Sequence, residues 1–360
     1  MDERRLARAV SVLEDGIGEG ALPGGVVCAL RHGKVFLHQA VGTLDGTRPA
    51  TTETLYDLAS VTKPMATAAS VLTLVEQGRL TLAASLPFLL GDAAAHLPAV
   101  AVHHLLTHTS GLPAWTACYE KGQGLDSAVA AVLRQPSAPV GTKYEYSCLN
   151  FVLLTKIVEV VSGRTLDVFA RENVFAPLGL TDTVFRPDAR LHGRIAPTRS
   201  KEKLSHEDDP AAVIVGVVHD GNARGIEAGG QRVSGNAGLF GTARDVAAFG
   251  EAIQSGETAS GEPLFSAPTL ARCRENQINP AVGAHTFLFF AQGNGYCPAG
   301  DLLSPRTIGH SGYTGTLLTL DPAHDLTVAL LTNRVFCDPD GAKWLATRRK
   351  FLNALAAALA

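Results

Sequence analysis

Ser60-Val61-Thr62-Lys63 is the stretch on which the reading of this chain turns. It opens an apolar run in which Met65, Ala68, Ala69, Leu72, Leu74 and Val75 recur at helical spacing, so that residues 62–77 read as a largely buried helix. A separation of i to i+3 sets Ser60 and Lys63 on one helical face, with Cβ atoms roughly 5–6 Å apart. A serine hydroxyl becomes a good nucleophile only when a neighbour takes its proton, and a desolvated lysine can have its pKa lowered enough to help. The helix N-terminus adds a field that favours negative charge on Ser60. On its own the pattern is better explained as a capping serine followed by a solvated lysine. Two details count against that plainer reading: the apolar character of the residues after Lys63, and Pro64, which a helix tolerates only in its first turn.

Two further elements accompany it. Tyr144-Glu145-Tyr146-Ser147-Cys148-Leu149-Asn150 forms a loop entering an apolar helix, and a tyrosine there can act as general base once cations stabilise its phenolate. Taken alone, that tyrosine reads equally well as an aromatic packed on the helix. Gly309-His310-Ser311-Gly312-Tyr313-Thr314-Gly315 lies within a C-terminal strand, where glycine lets a substrate lie along the edge and leaves N–H groups for an oxyanion. The plainer alternative is a glycine-rich bulge.

In this order and at these separations, the three elements resemble the SxxK, YxN and KTG-like motifs of class C β-lactamases, penicillin-binding DD-peptidases and related esterases. The resemblance extends along nearly the whole chain, through the early Gly24-Gly25-Val26-Val27 strand, residues 105–113 (LLTHTSGLP), Val218-His219-Asp220 and Gly238-Leu239-Phe240. It implies a β-lactamase/transpeptidase-like α/β fold. It also implies Ser60 as the acylated nucleophile, Lys63 as its partner and Tyr146 as the base that takes the proton and later activates water. The backbone N–H groups of Ser60 and Tyr313 would form the oxyanion hole, and Cys148, His310, Ser311 and Gly312 would meet the substrate. Two positions depart from the family pattern. His310 stands where the third motif has lysine, which weakens the expectation of a fixed charge for a penicillin carboxylate. Cys148 stands where YxN has asparagine, and a thiol offers no amide hydrogen bond to a substrate carbonyl.

The order of elements agrees with this fold class. An amphipathic helix is expected over residues 3–17, then a hairpin turning at His32-Gly33. Helical pieces come next at 102–106, 125–134, 150–162 and 165–174, and residues 192–233 read as a long loop over a cleft. A helix at 242–254 precedes three strand candidates at 283–293, 307–321 and 326–335, and residues 342–359 close the chain as a helix. Strands at both ends with helices between imply one antiparallel sheet built from the two termini and flanked by helices. Residues 1–79 and 234–360 would form this sheet domain, and 80–233 an inserted all-helical lobe, with the site in the cleft between them.

Composition narrows the partners. Of 360 residues, 46% are hydrophobic and 18% charged, with a net charge of −3, so no basic field exists to hold nucleic acid or an anionic membrane. No run approaches the roughly 18 apolar residues of a membrane span. Without a signal-like apolar region near its start the protein reads as cytoplasmic, or periplasmic should a leader precede this stretch. The six cysteines form no CxxC pair and read as reduced thiols. His103, His104 and His108 lack the spacing of a metal site, and neither metal nor cofactor is implied. His108 and the His219-Asp220 pair read as structural, and Ser311 fails as a nucleophile elbow because Tyr313 replaces the second glycine of GxSxG. The expected activity is hydrolysis of carboxylic esters through an acyl-Ser60 intermediate, with β-lactam turnover as a side activity. The alternatives are a β-lactamase or D-alanyl-D-alanine carboxypeptidase, an acyltransferase, and a silent ligand-binding homologue.

Overall fold

Strand Gly24–Arg31 and strand Leu326–Thr332 are apolar along almost their whole length because both faces of each are covered. They pair antiparallel, from Gly25 opposite Thr332 to Arg31 opposite Leu326, and this pairing joins the two ends of the chain. The computed structural model describes residues 2–199, 212–256, 258 and 261–359. In it a six-stranded sheet runs in the order Lys34–Gly42, Gly24–Arg31, Leu326–Thr332, Leu317–Asp321, Ile308–Ser311, Phe290–Ala291. His32 and Gly33 both have positive φ, 50° and 70°, as the two-residue turn of the first hairpin requires.

One face of the sheet packs on helices Glu3–Gly18 and Ala342–Ala357, through Leu13, Val27, Val328, Phe351 and Leu355. The other face packs on helix Ala243–Gln254 and continues without a break into Ala69–Glu76, Leu125–Leu133 and Cys148–Ser162. The apolar contact between sheet and helical region is thus one continuous core. Among the described residues, no helix is long and apolar enough to cross a membrane.

The structure departs from the sequence reading at several places. Of the 283–293 strand candidate only Phe290–Ala291 is strand, and the lobe expected to be all-helical holds the short strands Val184–Phe185, Thr198–Arg199 and Val213–Ile214. The 307–321 stretch is two strands, with Ser311 opposite Leu317, turned by Gly315 at φ 112° and closed by the Gly312 N–H donating to the Thr316 carbonyl at 2.8 Å. The helix behind Ser60 begins as a 3-10 turn, Ala59–Val61, passes through a π turn, Lys63–Ala68, and becomes α-helical only at Ala69–Glu76. The expected loop at 192–233 holds the strand pair Thr198–Arg199 with Val213–Ile214 and a helix at Gly221–Ala228; its residues 200–211 lie outside the described residues. A three-stranded sheet of Tyr56–Asp57, Leu239–Gly241 and Val184–Phe185 was not anticipated, because two- and three-residue strands carry no readable period.

Gly24 shows how tightly the first hairpin closes: a Cβ there would lie 2.4 Å from the Thr43 carbonyl oxygen and 2.6 Å from that of Val41. Gly24→Ala should therefore lower stability by about 3 kcal/mol, because backbone cannot move aside. Gly18→Ala, at an exposed helical glycine with nothing within 4 Å of the new methyl, should be neutral or stabilising by about 0.5 kcal/mol. Urea unfolding of the two variants beside wild type checks this, and equal effects would contradict it.

Candidate active site

Ser60 sits at the tip of a strained turn. Ala59 before it has φ 45°, a left-handed conformation that costs an alanine about 1–2 kcal/mol. The turn is held by its neighbours: the Leu58 N–H donates to the Leu239 carbonyl at 2.8 Å, and the Leu239 N–H donates to Thr62 Oγ1 at 3.1 Å. Thr314 and Thr316 donate their hydroxyls to the carbonyls of Asp57 and Leu58, at 2.7 and 2.9 Å. Gly312 lies so close that a Cβ would fall 2.5 Å from the Leu58 carbonyl oxygen, so only glycine admits the hairpin here. Among the described residues the backbone N–H groups of Ser60 and Tyr313 have no acceptor, and both residues line one cavity of about 700 Å³.

Lys63 is completely buried, and its three ammonium protons have three partners. It donates to Ser60 Oγ at 3.0 Å, to the Asn236 carbonyl at 2.9 Å and to Cys148 Sγ at 3.5 Å. Its Nζ also lies 5.1 Å from the centre of the Tyr146 ring. Burial pushes its pKa down, but the Cys148 and Tyr146 groups and the more distant Asp220 carboxylate outweigh this and hold it up, at about 12. The expectation of a desolvated lysine with lowered pKa is thereby corrected: Lys63 is an ammonium ion in a socket built for one.

The loop carrying Tyr146 is fixed by His108, itself at φ 58°. The Ser147 N–H donates to His108 Nδ1 at 3.0 Å and the Glu145 N–H to the His108 carbonyl at 2.9 Å, which is the structural role read from the sequence. The Tyr146 hydroxyl is buried and makes no hydrogen bond of ordinary geometry. Burial raises its pKa, while Lys63 and the Ser60 hydroxyl pull it back. The Cys148 thiol is likewise raised by burial and pulled back by Lys63. A Ser60 proton can therefore pass to Tyr146 only where the Lys63 charge supports the phenolate.

Ser311, Gly312, Tyr313 and Cys148 all border the cavity. His310 does not. It is buried behind the cavity wall, stacked on Phe290 with ring centres 4.4 Å apart, and its Nδ1 is 3.0 Å from the Ser311 carbonyl. Burial first, then the charge of Lys63, holds its pKa far below the usual imidazole range, so it is neutral. Direct substrate contact by His310, expected from its place in the motif, is thus not what the structure places there. The strand edge is open at Ser311, since Phe290–Ala291 covers only Ile308 and Gly309.

His219 and Asp220 border the same cavity and also serve the structure: Asp220 caps helix Gly221–Ala228 by accepting from the Ala223 N–H at 2.8 Å. Three participants escaped the sequence reading. Asn236 acts through a backbone carbonyl, which no side-chain pattern reveals. Arg348 lines the cavity from the closing helix and makes no hydrogen bond or ion pair among the described residues; only its place in the fold sets it apart from its basic neighbours. Asp57 had a signal, standing two residues before the next backbone N–H it binds, as in an Asx turn. Among the described residues no group of three His, Cys, Asp or Glu side chains is placed to hold a metal ion.

Comparison with known proteins agrees with this architecture. The family model described as Beta-lactamase matches residues 9–352. A protein of Escherichia coli (strain K12) named "Putative D-alanyl-D-alanine carboxypeptidase" is 33% identical over 84% of this chain and 72% of its own length. The N-acetylmuramyl-L-alanine amidase of Bacillus subtilis (strain 168) is 30% identical over 92% of this chain and 81% of its own. Among solved structures, EstCE1, a hydrolase with promiscuous acyltransferase activity, superposes with TM-score 0.76 at 22% identity, covering 97% of this chain and 99% of that one. A class C beta-lactamase from Rhodobacter sphaeroides gives 0.74 at 19% identity, covering 98% and 99%. The chain, with its α/β fold and its cavity-lining serine bonded to a buried lysine, belongs to the beta-lactamase family of serine hydrolases.

Proposed function

We propose that this protein is a serine acyl hydrolase that works through an acyl-Ser60 intermediate, with carboxylic esters as its readiest substrates. The observation that carries the proposal is the 3.0 Å contact between Ser60 Oγ and the buried Lys63 ammonium, on the wall of a cavity large enough for a small ligand. Ser60 Oγ attacks the carbonyl carbon while its proton moves to the Tyr146 phenolate, which Lys63 stabilises. The carbonyl oxygen takes up negative charge between the Ser60 and Tyr313 N–H groups. Tyr146 returns the proton to the leaving group, then draws one from the water that attacks the acyl carbon and passes it to Ser60 Oγ as the acyl bond breaks, which restores the free serine and the phenolate. Support for neutral esters comes from the residues nearest Ser60: a thiol at Cys148 where an amide would grip a peptide, and a neutral, buried His310.

Arg348 favours a second reading, that of a substrate with a carboxylate, such as a short peptide ending in a D-amino acid, or a β-lactam. A guanidinium that makes no hydrogen bond or ion pair among the described residues, at the cavity wall, is a natural carboxylate site. The name of the Escherichia coli relative points the same way. Arg348→Ala decides between the two. If carboxylate-bearing substrates are the natural ones, their KM rises about tenfold while that of a neutral phenyl ester is unchanged. Equal effects on both would reject the second reading.

Two predictions concern the machinery. Because Tyr146 is raised by burial and Lys63 stays protonated to about 12, the reactive phenolate is scarce at neutral pH and grows as pH rises. Background-corrected kcat/KM for phenyl acetate should therefore climb from pH 7 to pH 9 with a slope of about one. Tyr146→Phe should lower it by about 10²–10⁴-fold. A plateau from pH 7 upward would contradict the assignment of the base.

Lys63→Met should separate function from stability. Replacing the ammonium by an apolar chain of similar length ends its desolvation cost but leaves the Asn236 carbonyl without its buried donor, so stability should fall by no more than about 1–3 kcal/mol. Activity should fall by at least about 10³-fold. A variant that unfolds easily would show that the ammonium chiefly holds the fold.

A further inference from the structure

We propose that Asp57 is a positioning residue whose carboxylate sets the nucleophile turn and the cleft loop bearing His219 and Asp220 in one geometry, so that Ser60 is reactive only while that carboxylate is ionised. The inference rests on Ser60 being the nucleophile.

Asp57 is only 2% exposed, yet both of its carboxylate oxygens are engaged, and by backbone alone. Oδ1 accepts the Ala59 N–H at 2.8 Å, and Oδ2 accepts the His219 N–H at 2.6 Å. Its own carbonyl accepts the Thr314 hydroxyl at 2.7 Å. One residue thus ties together the turn before Ser60, the loop on the opposite cavity wall and the hairpin that carries Tyr313. Ala59 is the strained residue at φ 45°. Fixing the peptide plane before it fixes the starting point from which the chain swings into Ser60, whose N–H has no acceptor among the described residues. On the other side, the bond to His219 sets the position of Asp220, the carboxylate that acts on both Lys63 and Cys148.

The double acceptor role requires the anion. Protonation turns one of the two oxygens into a hydroxyl, a far weaker acceptor, and the backbone N–H facing that oxygen is left buried with its bond lost or badly weakened. Burial pushes the Asp57 carboxyl up to about 6; the His219 and Ala59 N–H groups pull it down, Asp220 raises it and Arg224 lowers it. Glu227 is a further carboxyl coupled to Asp57, and the His219 imidazole is kept from ionising mainly by burial. Strand Leu239–Gly241, paired with Tyr56–Asp57, brings no charged side chain, and the turn at 312–316 brings only the exposed Tyr313 phenol. The sign is direct: above about pH 6 both bonds are present, and as pH falls through that value one of them is lost.

The test is the second-order rate of Ser60 labelling by a fluorophosphonate, measured on the full chain between about pH 5 and pH 8, a window that spans the Asp57 titration. In wild type the logarithm of the rate should fall more steeply below about pH 6 than above it. Asp57→Asn places an amide NH₂ against a backbone N–H at every pH. Its rate at about pH 8 should be reduced at least about tenfold and the extra steepness at lower pH should vanish. Asp220→Asn keeps the cap on Ala223 but removes the like charge, so the break should move to lower pH. This variant decides the matter should Asp57→Asn fail to fold by circular dichroism. A wild-type profile without a break, or an Asp57→Asn profile matching wild type, overturns the role of Asp57 while leaving Ser60 as the nucleophile. No labelling of folded wild-type protein at any pH overturns the nucleophile and the inference together.

Discussion

A single buried ammonium organises this molecule. Removing an ammonium from water costs several kcal/mol unless each of its protons finds an acceptor. Lys63 finds three, and they come from three parts of the chain: Ser60 in its own turn, Cys148 on the loop entering the long lobe helix, and the Asn236 carbonyl beside strand Leu239–Gly241. The charge thus draws Ser60, the loop bearing Tyr146 and the floor of the cleft onto one point. In the proposed mechanism it supports a Tyr146 phenolate and does not itself serve as the base.

The surrounding architecture holds that point still. Strands from both ends of the chain form the sheet, the terminal helices cover one face, and the other face shares a core with the lobe. The C-terminal hairpin reaches the nucleophile turn only because Gly312 has no side chain and two threonines bond to the turn's carbonyls. Of the five described non-glycine residues with positive φ, Ala59 and His108 stand at the site, one beside Ser60 and one against the loop of Tyr146. Both are pinned by hydrogen bonds, Ala59 through its N–H to the Asp57 carboxylate and His108 through its ring, which accepts the Ser147 N–H, as strained residues at functional sites need to be.

Much of this was legible in the sequence, for definable reasons. Ser60, Lys63 and Tyr146 stand in motifs whose spacing survives in sequence, and the long helices carry a clear 3.6-residue period. Other features were hidden by their nature. Helix Gly221–Ala228 contains two glycines and little apolar pattern, so it read as loop. The π turn behind Lys63 keeps the apolar pattern of an ordinary helix while altering its hydrogen bonds. His310 occupies a motif position that suggests substrate contact, and only the packing against Phe290 turns it into the wall. The lowered lysine pKa was reasonable from burial alone; it failed because the groups that hold the charge in place, Cys148, Tyr146 and Asp220, lie far from Lys63 in sequence and cannot be read together with it.

The central claim is that Ser60 forms the covalent acyl intermediate. It is tested most directly by intact-protein mass spectrometry after rapid acid quenching of the enzyme with a panel of esters and β-lactams, together with peptide mapping. The account predicts a mass increase equal to the acyl group, carried on the peptide containing Ser60 and absent from Ser60→Ala. An adduct on Cys148 or Ser311 instead, or one that persists unchanged in Ser60→Ala, would contradict it.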